Sequence, residues 1–363
     1  MVVVDAFDIR IRGKGISRAM QNIATGLGAR SNASCRYVIL TTAEGAGVLG
    51  EDERLSIKLV PSMPGTVWEQ IGLPFFARSV GGRLIYAHRE SAPLISPPYI
   101  LHIPEDPEIR WRRDPPRGMK ERARARYQRL VVRRSLDRAD VLLASSKTTA
   151  SIVERNYGFA PGSVKPIPLG VEERFFTGVE ERSENYIFHL GSSDPRDNSM
   201  LVVDAYLKLL GTIDDLPNLV IAGDLGVFRD QAMSLIPAHH SEQIALLGRV
   251  SDERLVDLYT RAMICIQPAS DEGFGLQPLE AMAAGVPLIV LDTPAVTEVV
   301  AGAGVKISSA SPTELAGRLH ELLFDEGLRS QLRRKGRERA RSYRWEHTVE
   351  MIGEVIEQQL LVL

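Results

Sequence analysis

The 363-residue sequence predicts an α/β protein made of two doubly wound domains, each built on a parallel sheet. Short continuous apolar runs, the pattern of parallel strands that are buried on both faces, occur along most of the chain. Amphipathic helical segments alternate with these runs, which favours βαβ units with right-handed crossovers. The chain is also too long for one hydrophobic core of ordinary size, so two domains are expected.

Nine apolar runs are predicted to be strands, and four longer segments are predicted to be helices. The strand runs are MVVVDAF, YVILTT, RLIYAH, PYILHI, ADVLLASS, NYIFHLGSS, NLVIAGD, MICIQPAS and VPLIVLD. The helical segments are SRAMQNIATGLGAR, RARYQRLVVRRSLDRA, SMLVVDAYLKLLG and DERLVDLYTRA. The first series of alternating strands and helices ends near residues 167–180, so we expect one domain over 1–170 and a second over 171–343. An apolar stripe in 344–363 predicts a helix that packs on another element.

The composition is that of a globular protein, with 44% apolar and 25% charged residues. No apolar run approaches the roughly 18 residues of a membrane span. The first residues, MVVVDAFDIRIRGKG, hold too short an apolar run for a signal peptide, so we expect a cytoplasmic protein. Cys35 and Cys265 form no metal or redox motif and are predicted to be buried free thiols.

The net charge of −2 conceals a basic first half and an acidic second half. Residues 1–170 contain 26 Lys+Arg and 16 Asp+Glu, whereas the remainder contains 18 and 30. Residues 109–134 alone hold eleven Lys/Arg against two acids. This segment is either a solvated helix face or a contact for anionic lipid head groups or a phosphorylated acceptor. Its few aromatic residues and the lack of a nucleic-acid-binding motif argue against nucleic acid.

Residues 271–285, DEGFGLQPLEAMAAG, follow a predicted strand and give the strongest indication of a binding site. The pattern predicts a turn, then a short helix with Pro278 in its first turn and Gly285 as its C-cap. Open α/β sheets bind ligands at the carboxyl ends of their strands, and the free N–H groups of a helix that begins there attract phosphate.

The side chains of the same loop indicate what kind of ligand it binds. Gly273 and Gly275 would let a bulky anion approach the backbone. Glu280, about one turn into the helix, is placed to accept hydrogen bonds from a ribose diol, and Glu272 can reach another part of the ligand. These features together indicate a phosphate flanked by hydroxylated rings, as in a nucleotide sugar. A tight turn with exposed glutamates is the alternative that a lone G-x-G would favour.

The string EGFGLQPLEAMAAGVPL resembles the E-x7-E signature of the family 4 retaining glycosyltransferases, with Gln277 as the changed position. The resemblance covers nearly the whole chain. Further similar segments are GKGISRAMQNIATGL, YILHIPED, the stretch 139–176, HLGSSDPRDN, LLGRVSDERLVDLYTRA and TEVVAGAG. It implies the GT-B fold, in which two Rossmann-like domains face a cleft that holds the active site. In this fold the last helix, here 344–363, returns to the first domain.

The resemblance also implies roles for individual residues of the second domain. Glu280 would bind the donor ribose, Glu272 the transferred sugar, and the backbone of Val250 the base. Arg196 would neutralise the diphosphate. The backbone amides expected to hold sugar hydroxyls and diphosphate oxygens are those of Gly273, Phe274, Gly275 and Leu276.

Two residues of the first domain are assigned in the same way. Gly15 would let the donor phosphate or the acceptor approach, and His102 would hydrogen-bond the donor sugar near the reacting carbon. The family often has Asp directly after this His, whereas Ile103 stands here. Glu105 or Asp106 is a candidate for that role.

The implied reaction moves a sugar from a UDP- or GDP-sugar to an acceptor hydroxyl with retention of the anomeric configuration. A lipid-linked or phosphate-linked acceptor is one candidate. Front-face attack is implied, in which the leaving phosphate takes the acceptor proton. The sequence contains no D-x-D motif, so neither a metal nor another cofactor is expected.

Three other functions are alternatives to glycosyl transfer. A glycosidase with Glu272 and Glu280 as its carboxylate pair is disfavoured, because one lies before the helix and the other inside it. A dinucleotide-dependent oxidoreductase is disfavoured because no strand is followed by G-x-G-x-x-G. A catalytically silent nucleotide-sugar-binding subunit is the serious alternative. Ser192 falls near the position where the family commonly has Arg, and Asp197 replaces the Lys of its PRKN segment, which leaves Arg196 as the candidate cation.

Overall fold

A computed structural model describes residues 1–10, 15–30, 36–109, 111, 115–116, 118–177 and 185–363. The chain divides into two compact units. Unit 1 comprises Met1–Gly170 together with Trp345–Leu363, and unit 2 comprises Val171–Arg344. Within the described residues, no helix is both long enough and apolar enough to cross a bilayer.

Unit 1 is built on a seven-stranded sheet in which every pairing is parallel. The strands are β1 Val2–Asp5, β2 Tyr37–Thr41, β3 Ile57–Leu59, β4 Leu84–His88, β5 Tyr99–Ile103, β6 Val141–Ala144 and β7 Val164–Pro166, in the order β3-β2-β1-β4-β5-β6-β7. Strands β1, β4 and β5 are completely buried, because helices cover both faces of a doubly wound sheet.

The helices of unit 1 connect these strands or close the chain. They are α1 Gly15–Gly28, α2 Ala43–Leu49, α3 Gly65–Val67, α4 Leu73–Ser79, α5 Met119–Arg138 and α6 Lys147–Tyr157. A π-helical turn, Trp68–Gly72, joins α3 to α4. Trp68 is fully buried and stacks on Phe7 with ring centroids 4.5 Å apart. The aromatic pair fixes this irregular connection onto the sheet.

Unit 2 has a six-stranded parallel sheet in the order β10-β9-β8-β11-β12-β13. Its strands are β8 Tyr186–Leu190, β9 Asn218–Ala222, β10 Ile244–Gly248, β11 Ile264–Gln267, β12 Leu288–Leu291 and β13 Val305–Ile307. Its helices are α7 Ser199–Leu209, α8 Phe228–Leu235, α9 Asp252–Arg261, α10 Leu276–Ala284, α11 Pro294–Val300, α12 Pro312–Phe324 and α13 Glu326–Ala340. The chain reverses direction across the sheet between β8 and β11, which is the topological switch point.

The predicted fold class is confirmed, and each of the nine predicted apolar runs contains a strand. The sequence did not reveal four strands: β3, β7, β10 and β13. They are the four edge strands of the two sheets, and three of them span only three residues. Strand β3 is mostly exposed, so it lacks the continuous apolar run by which buried parallel strands are recognised.

The final helix, α14 Trp345–Val362, belongs to unit 1 and packs against α1. Arg30 forms an ion pair with Glu357 at 3.0 Å. A Cβ atom added at Gly26 would lie 2.4 Å from Val349 Cγ2, so the two helices are in close contact at that glycine.

We expect Gly26→Ala to lower the free energy of unfolding by about 1–3 kcal/mol, because the new methyl group overpacks the α1–α14 contact. Gly47→Ala in α2 is the matched control. Its Cβ would meet no atom within 4 Å, so the better helix propensity of Ala should stabilise α2 by about 0.5–1 kcal/mol. Urea denaturation of both variants measures the difference, and equal stabilities would contradict the close helix contact.

Candidate functional site

The loops that leave the carboxyl ends of β8, β9, β10 and β11 are linked to one another by backbone hydrogen bonds. Gly191 N donates to Ala222 O at 2.9 Å, and Gly223 N donates to Gly248 O at 2.7 Å. Ser270 N donates to Arg196 O at 2.9 Å. These bonds join four neighbouring strand ends into one edge of the unit 2 sheet.

The β8 and β9 loops touch at two glycines. A Cβ atom on Gly223 would lie 1.9 Å from Gly191 O, and Gly223 has φ +102°, a backbone conformation that disfavours other residues. The sequence analysis did not select either glycine. Each of them directly follows an apolar strand run, in YIFHLG and NLVIAG, and this position is the signal that could have identified them.

The loop after β11 is also fixed to the loop after β8 by a side chain. Asn198 adopts left-handed backbone angles, with φ 52°, and its Nδ2 donates to Pro268 O at 2.8 Å. With the Ser270–Arg196 bond, this contact holds the backbone of Arg196 beside the segment that leads into Glu272. The structure therefore brings two segments together that the sequence analysis assigned to the donor.

The segment 271–285 folds as predicted, with helix α10 at Leu276–Ala284. Gly275, at the N-cap, has φ +99° and no side chain caps the first turn, while Gly285 is the left-handed C-cap. Pro278 lies in the first turn of α10 and has no N–H of its own. The backbone of this turn is therefore available to an anion without displacement of a capping side chain.

Two side chains of the segment anchor it to unit 2. Phe274 is buried and meets Tyr343 edge to face, with ring centroids 5.7 Å apart, so it can offer a ligand its backbone but not its ring. The amide of the buried Gln267 is oriented so that both its nitrogen and its oxygen form hydrogen bonds. In this orientation the nitrogen donates to Gln277 Oε1 at 2.8 Å. Gln277, the residue that departs from the family signature, thus ties α10 to the end of β11.

The two glutamates of the segment differ in burial. Glu280 is on α10 and only 3% exposed, whereas Glu272 lies on the loop and is half-buried. Glu280 is close enough to Cys265 that its charge helps, after burial itself, to raise the pKa of that thiol. Cys265 is a buried free thiol, and Cys35 lies outside the described residues.

The side chain of Arg196 is held by a neighbour in its own loop. Arg196 Nε donates to Asp194 Oδ2 at 2.9 Å, and Asp194 Oδ1 accepts the Arg196 backbone N–H at 2.9 Å. Asp194 rather than Asp197 is therefore the cap of the turn Pro195–Asp197, because it precedes that turn and faces its N–H groups. Asp197 is half-buried, and burial raises the pKa of its carboxyl although Ser192 hydrogen-bonds to it.

Val250 follows β10 at the same edge and is half-buried. Its neighbour Arg249 forms an exposed ion pair with Asp224 in the β9 loop, at 3.2 Å. The edge of unit 2 thus carries two arginines, Arg196 and Arg249, each of which is paired with an aspartate.

Gly15 and His102 belong to unit 1. Gly15 is the first residue of α1, and residues 11–14 before it lie outside the described residues. His102 is the fourth of the five buried residues of β5 and has no exposed surface. Its Nδ1 lies 2.7 Å from Tyr86 Oη, and its Nε2 lies 3.5 Å from Ser145 Oγ. Burial holds the pKa of His102 well below its ordinary value, so the ring is neutral.

His88, a residue that the sequence analysis did not select, lies beside His102 with ring centroids 4.7 Å apart. It is 3% exposed, and neither ring nitrogen has a hydrogen-bond partner among the described residues. Burial lowers the pKa of His88 to about 4. No group of three or more His, Cys, Asp or Glu side chains suited to a metal ion occurs in the described part of the chain.

Comparison with known families matches residues 171–339, nearly all of unit 2, to the family described as Glycosyl transferases group 1. The O-antigen chain mannosyltransferase RfbU of Salmonella typhimurium is 29% identical over 186 residues, which cover 50% of each chain. O-antigen chain mannosyltransferase B of Escherichia coli is 26% identical over 236 residues, 62% of each chain. A D-inositol 3-phosphate glycosyltransferase of Gordonia bronchialis is 25% identical over 235 residues, 59% of this chain and 51% of its own. The chain thus spans half to about three fifths of the length of these relatives.

Solved structures resemble the whole chain. WaaG, a glycosyltransferase involved in lipopolysaccharide biosynthesis, matches with a TM-score of 0.77 and 15% identity over 98% of this chain and 99% of its own. Anabaena HepE in complex with UDP and glucose matches with a TM-score of 0.72 and 16% identity, over 100% of this chain and 99% of its own. The fold is therefore that of GT-B glycosyltransferases, and the sequence matches support a glycosyltransferase.

The buried histidines make stability depend on pH. The pKa of His88 is about 4 in the folded protein and about 6.5 in the unfolded chain, so only the unfolded chain gains a proton as pH falls from about 6.5 to 4. Each such histidine therefore costs about 1.4 kcal/mol of stability per pH unit in that window. Between pH 7 and pH 5 the free energy of unfolding should fall in both proteins. We expect it to fall by about 2 kcal/mol less in His88→Leu than in wild type.

Urea denaturation at the two pH values measures this loss. The substitution of His88 breaks no hydrogen bond to another described residue, so the variant should fold. His239→Leu, which removes an exposed histidine, is the control and should behave as wild type. An unchanged pH dependence in His88→Leu would contradict a buried, neutral His88.

Proposed function

We propose that the protein is a retaining glycosyltransferase that moves a sugar from a nucleoside-diphosphate donor to an acceptor hydroxyl. The observation that carries the proposal lies at the carboxyl ends of the unit 2 strands. Helix α10 supplies a first turn with a glycine N-cap and the buried Glu280, and the loop before this helix is hydrogen-bonded to the loop that carries Arg196. Backbone N–H groups, a cation and a carboxylate are the three kinds of group that recognise phosphate and ribose.

Each group has a proposed role in holding the donor. Glu280 accepts hydrogen bonds from the ribose hydroxyls, and the backbone beside Val250 contacts the base. Glu272 contacts the transferred sugar. Arg196 balances the charge that grows on the leaving diphosphate in the transition state. The amides assigned to the diphosphate oxygens and sugar hydroxyls are those of Gly273, Phe274, Gly275 and Leu276.

The roles of Gly15 and His102 in unit 1 remain predictions. His102 is fully buried, and both of its ring nitrogens already lie near hydroxyl groups of unit 1. We therefore propose that, if His102 contributes to donor binding, it does so as a neutral hydrogen-bonding ring.

The donor is proposed to be a UDP- or GDP-sugar. HepE has been solved with UDP and glucose, which favours UDP, whereas the mannosyltransferase names of two relatives favour a mannose donor. We propose that the product is a glycan or glycolipid of the cell envelope, or a glycosylated natural product. We further propose a cytoplasmic enzyme that needs neither a metal nor another cofactor and binds no nucleic acid.

A silent nucleotide-sugar-binding subunit is the second candidate function. The observation that favours it is Asp197, a carboxylate at the position where the related enzymes commonly carry a lysine. Donor turnover, including hydrolysis, separates the two functions. A silent subunit binds a nucleoside diphosphate but turns over no UDP- or GDP-sugar, whereas the proposed enzyme releases nucleoside diphosphate.

The basic segment 109–134 is proposed to contact anionic lipid. Arg110, Arg112, Arg113 and Arg117 lie outside the described residues, whereas α5 presents an exposed basic surface. Its exposed arginines include Arg122, Arg124, Arg126, Arg129, Arg133 and Arg134. The exposed Met119, Tyr127 and Leu130 give the same helix apolar groups that can enter the head-group region.

Glu280→Ala is expected to weaken UDP or GDP binding by about 1–3 kcal/mol, because the ribose hydroxyls lose their buried partner. Isothermal titration calorimetry with the nucleotide that binds wild type measures the effect. Glu321→Ala, which removes an exposed carboxylate from α12, is the control and should bind as wild type does. Wild-type affinity in Glu280→Ala would refute the ribose assignment.

The combined change of Arg122, Arg124 and Arg126 to Gln is expected to abolish sedimentation with acidic phospholipid vesicles and to leave nucleotide binding unchanged. Wild-type binding should fade as salt rises, since exposed charges are screened beyond about 8–10 Å at physiological ionic strength. The matched control changes three exposed basic residues of unit 2, Arg334, Lys335 and Arg341, to Gln. Equal binding of wild type to neutral and acidic vesicles, or to neither, would exclude the lipid contact.

A further inference from the structure

Arg196, the cation proposed to bind the diphosphate, already forms an ion pair with Asp194 in its own loop. The guanidinium of Arg196 contacts Asp194 Oδ2 through Nε at 2.9 Å and through the NH2 nitrogen at 2.8 Å. One carboxylate oxygen thus accepts from two nitrogens along one edge of the guanidinium, an edge that arginine can also present to phosphate oxygens. Both side chains reach solvent, with 26% of Arg196 and 39% of Asp194 exposed.

The backbone of Arg196 is fixed where a donor phosphate would be needed. Its carbonyl oxygen accepts hydrogen bonds from Ser270 N at 2.9 Å and from Ser270 Oγ at 3.3 Å. Two residues further on, Asn198 Nδ2 bonds to Pro268 O. The backbone of the arginine is therefore held against the β11 loop, whereas the Asp194 contact of its side chain is one that a ligand can exchange.

The charges of this loop disfavour an anion as long as Asp194 keeps its place. Asp194 and Asp197 both lie within three residues of Arg196 along the chain, and the charge of Asp194 acts on Asp197. Two carboxylates against one guanidinium leave a surplus negative charge in the loop after β8 when both carboxyls are ionised. A diphosphate gains most from Arg196 when this contact is given up, because Asp194 takes donors on two of the three guanidinium nitrogens.

We propose that Asp194 is a built-in competitor that occupies Arg196 until the diphosphate group of the donor displaces it. The inference rests on the proposed function, because it concerns the same nucleotide site. A diphosphate carries more charge than a carboxylate and offers several oxygens to the guanidinium, so it is the stronger partner. The released Asp194 is already partly exposed and can be hydrated, and an ion pair between such groups contributes little to stability.

Asp194 would consequently set the affinity for the donor. A site whose cation is unopposed would hold the nucleoside diphosphate product tightly after the sugar has left. When Asp194 pairs with Arg196 again, it favours release of that product. Product release often limits turnover.

The test is Asp194→Asn, a change that keeps the Oδ1 acceptor for the Arg196 N–H and removes the charge. Calorimetry with inorganic pyrophosphate and with UDP and GDP gives the affinities. We expect the variant to bind pyrophosphate, and whichever nucleotide binds wild type, about two- to tenfold more tightly. Glu321→Gln is the matched control: it removes the charge of an exposed carboxylate paired with Arg318, and its affinities should equal those of wild type.

A double-mutant cycle separates competition for Arg196 from simple repulsion of the ligand. Competition requires Arg196, so the gain from Asp194→Asn should shrink in an Arg196→Gln background. An equal gain in both backgrounds, or an unchanged or weaker affinity of Asp194→Asn alone, overturns the proposal.

The two ligand types also distinguish failure of this inference from failure of the proposed function. If UDP or GDP binds wild type but Asp194→Asn brings no gain, the nucleotide site stands and the competition is wrong. If Asp194→Asn binds pyrophosphate more tightly in an Arg196-dependent way but no nucleoside diphosphate binds, the competition between Asp194 and phosphate for Arg196 stands. The proposed nucleotide-sugar function is then wrong.

Discussion

The contact between two backbone segments, Gly191 and Gly223, is the constraint on which the candidate site depends. The carbonyl oxygen of Gly191 occupies the space that any side chain at Gly223 would need. Glycine at position 223 lets β8 and β9 end side by side, with Gly223 N bonded to Gly248 O at the next strand. The loop that carries Arg196 starts at Gly191, and the loop that carries Val250 starts at Gly248, so this contact and this bond fix where both loops begin.

Two residues at which the sequence departs from the signature it resembles have structural partners in unit 2. The side chain of Gln277 pairs with the buried Gln267 and ties α10 to β11. Asp197 stands where the resemblance would place a lysine, and its partly buried carboxyl hydrogen-bonds to Ser192. In both cases the substituted side chain has a partner within unit 2, so the local fold does not depend on the residue that was replaced.

Much of the fold and part of the site could be predicted from the sequence. Whether an element could be predicted depended on a physical property of that element. Buried parallel strands such as β1 and β5 show up as continuous apolar runs, and the helix α10 is marked by Pro278 and Gly285. The short edge strand β3 could not be recognised, because its residues are mostly exposed and it is defined by pairing with β2 alone. Patterns along the chain report burial and turns, but not which neighbour completes a sheet.

Side-chain pairing was the other feature that sequence patterns could not provide. The sequence indicated Arg196 as a cation but not that Asp194 holds it, since several other acidic or hydroxyl residues lie within four positions of Arg196. The resemblance indicated His102, whereas the ring without a hydrogen-bond partner among the described residues is that of His88 on the neighbouring strand. Both facts depend on where side chains point once the sheet has formed.

The central claim is that unit 2 binds the nucleoside diphosphate of a sugar donor. A ligand that binds only the folded state raises the unfolding temperature, so thermal unfolding of the full chain with UDP, GDP and dTDP, each with and without the attached sugar, tests it most directly. The account predicts that at least one nucleoside diphosphate raises the unfolding temperature and that its sugar-bearing form does so as well. An unfolding temperature unchanged by all of these ligands would contradict it.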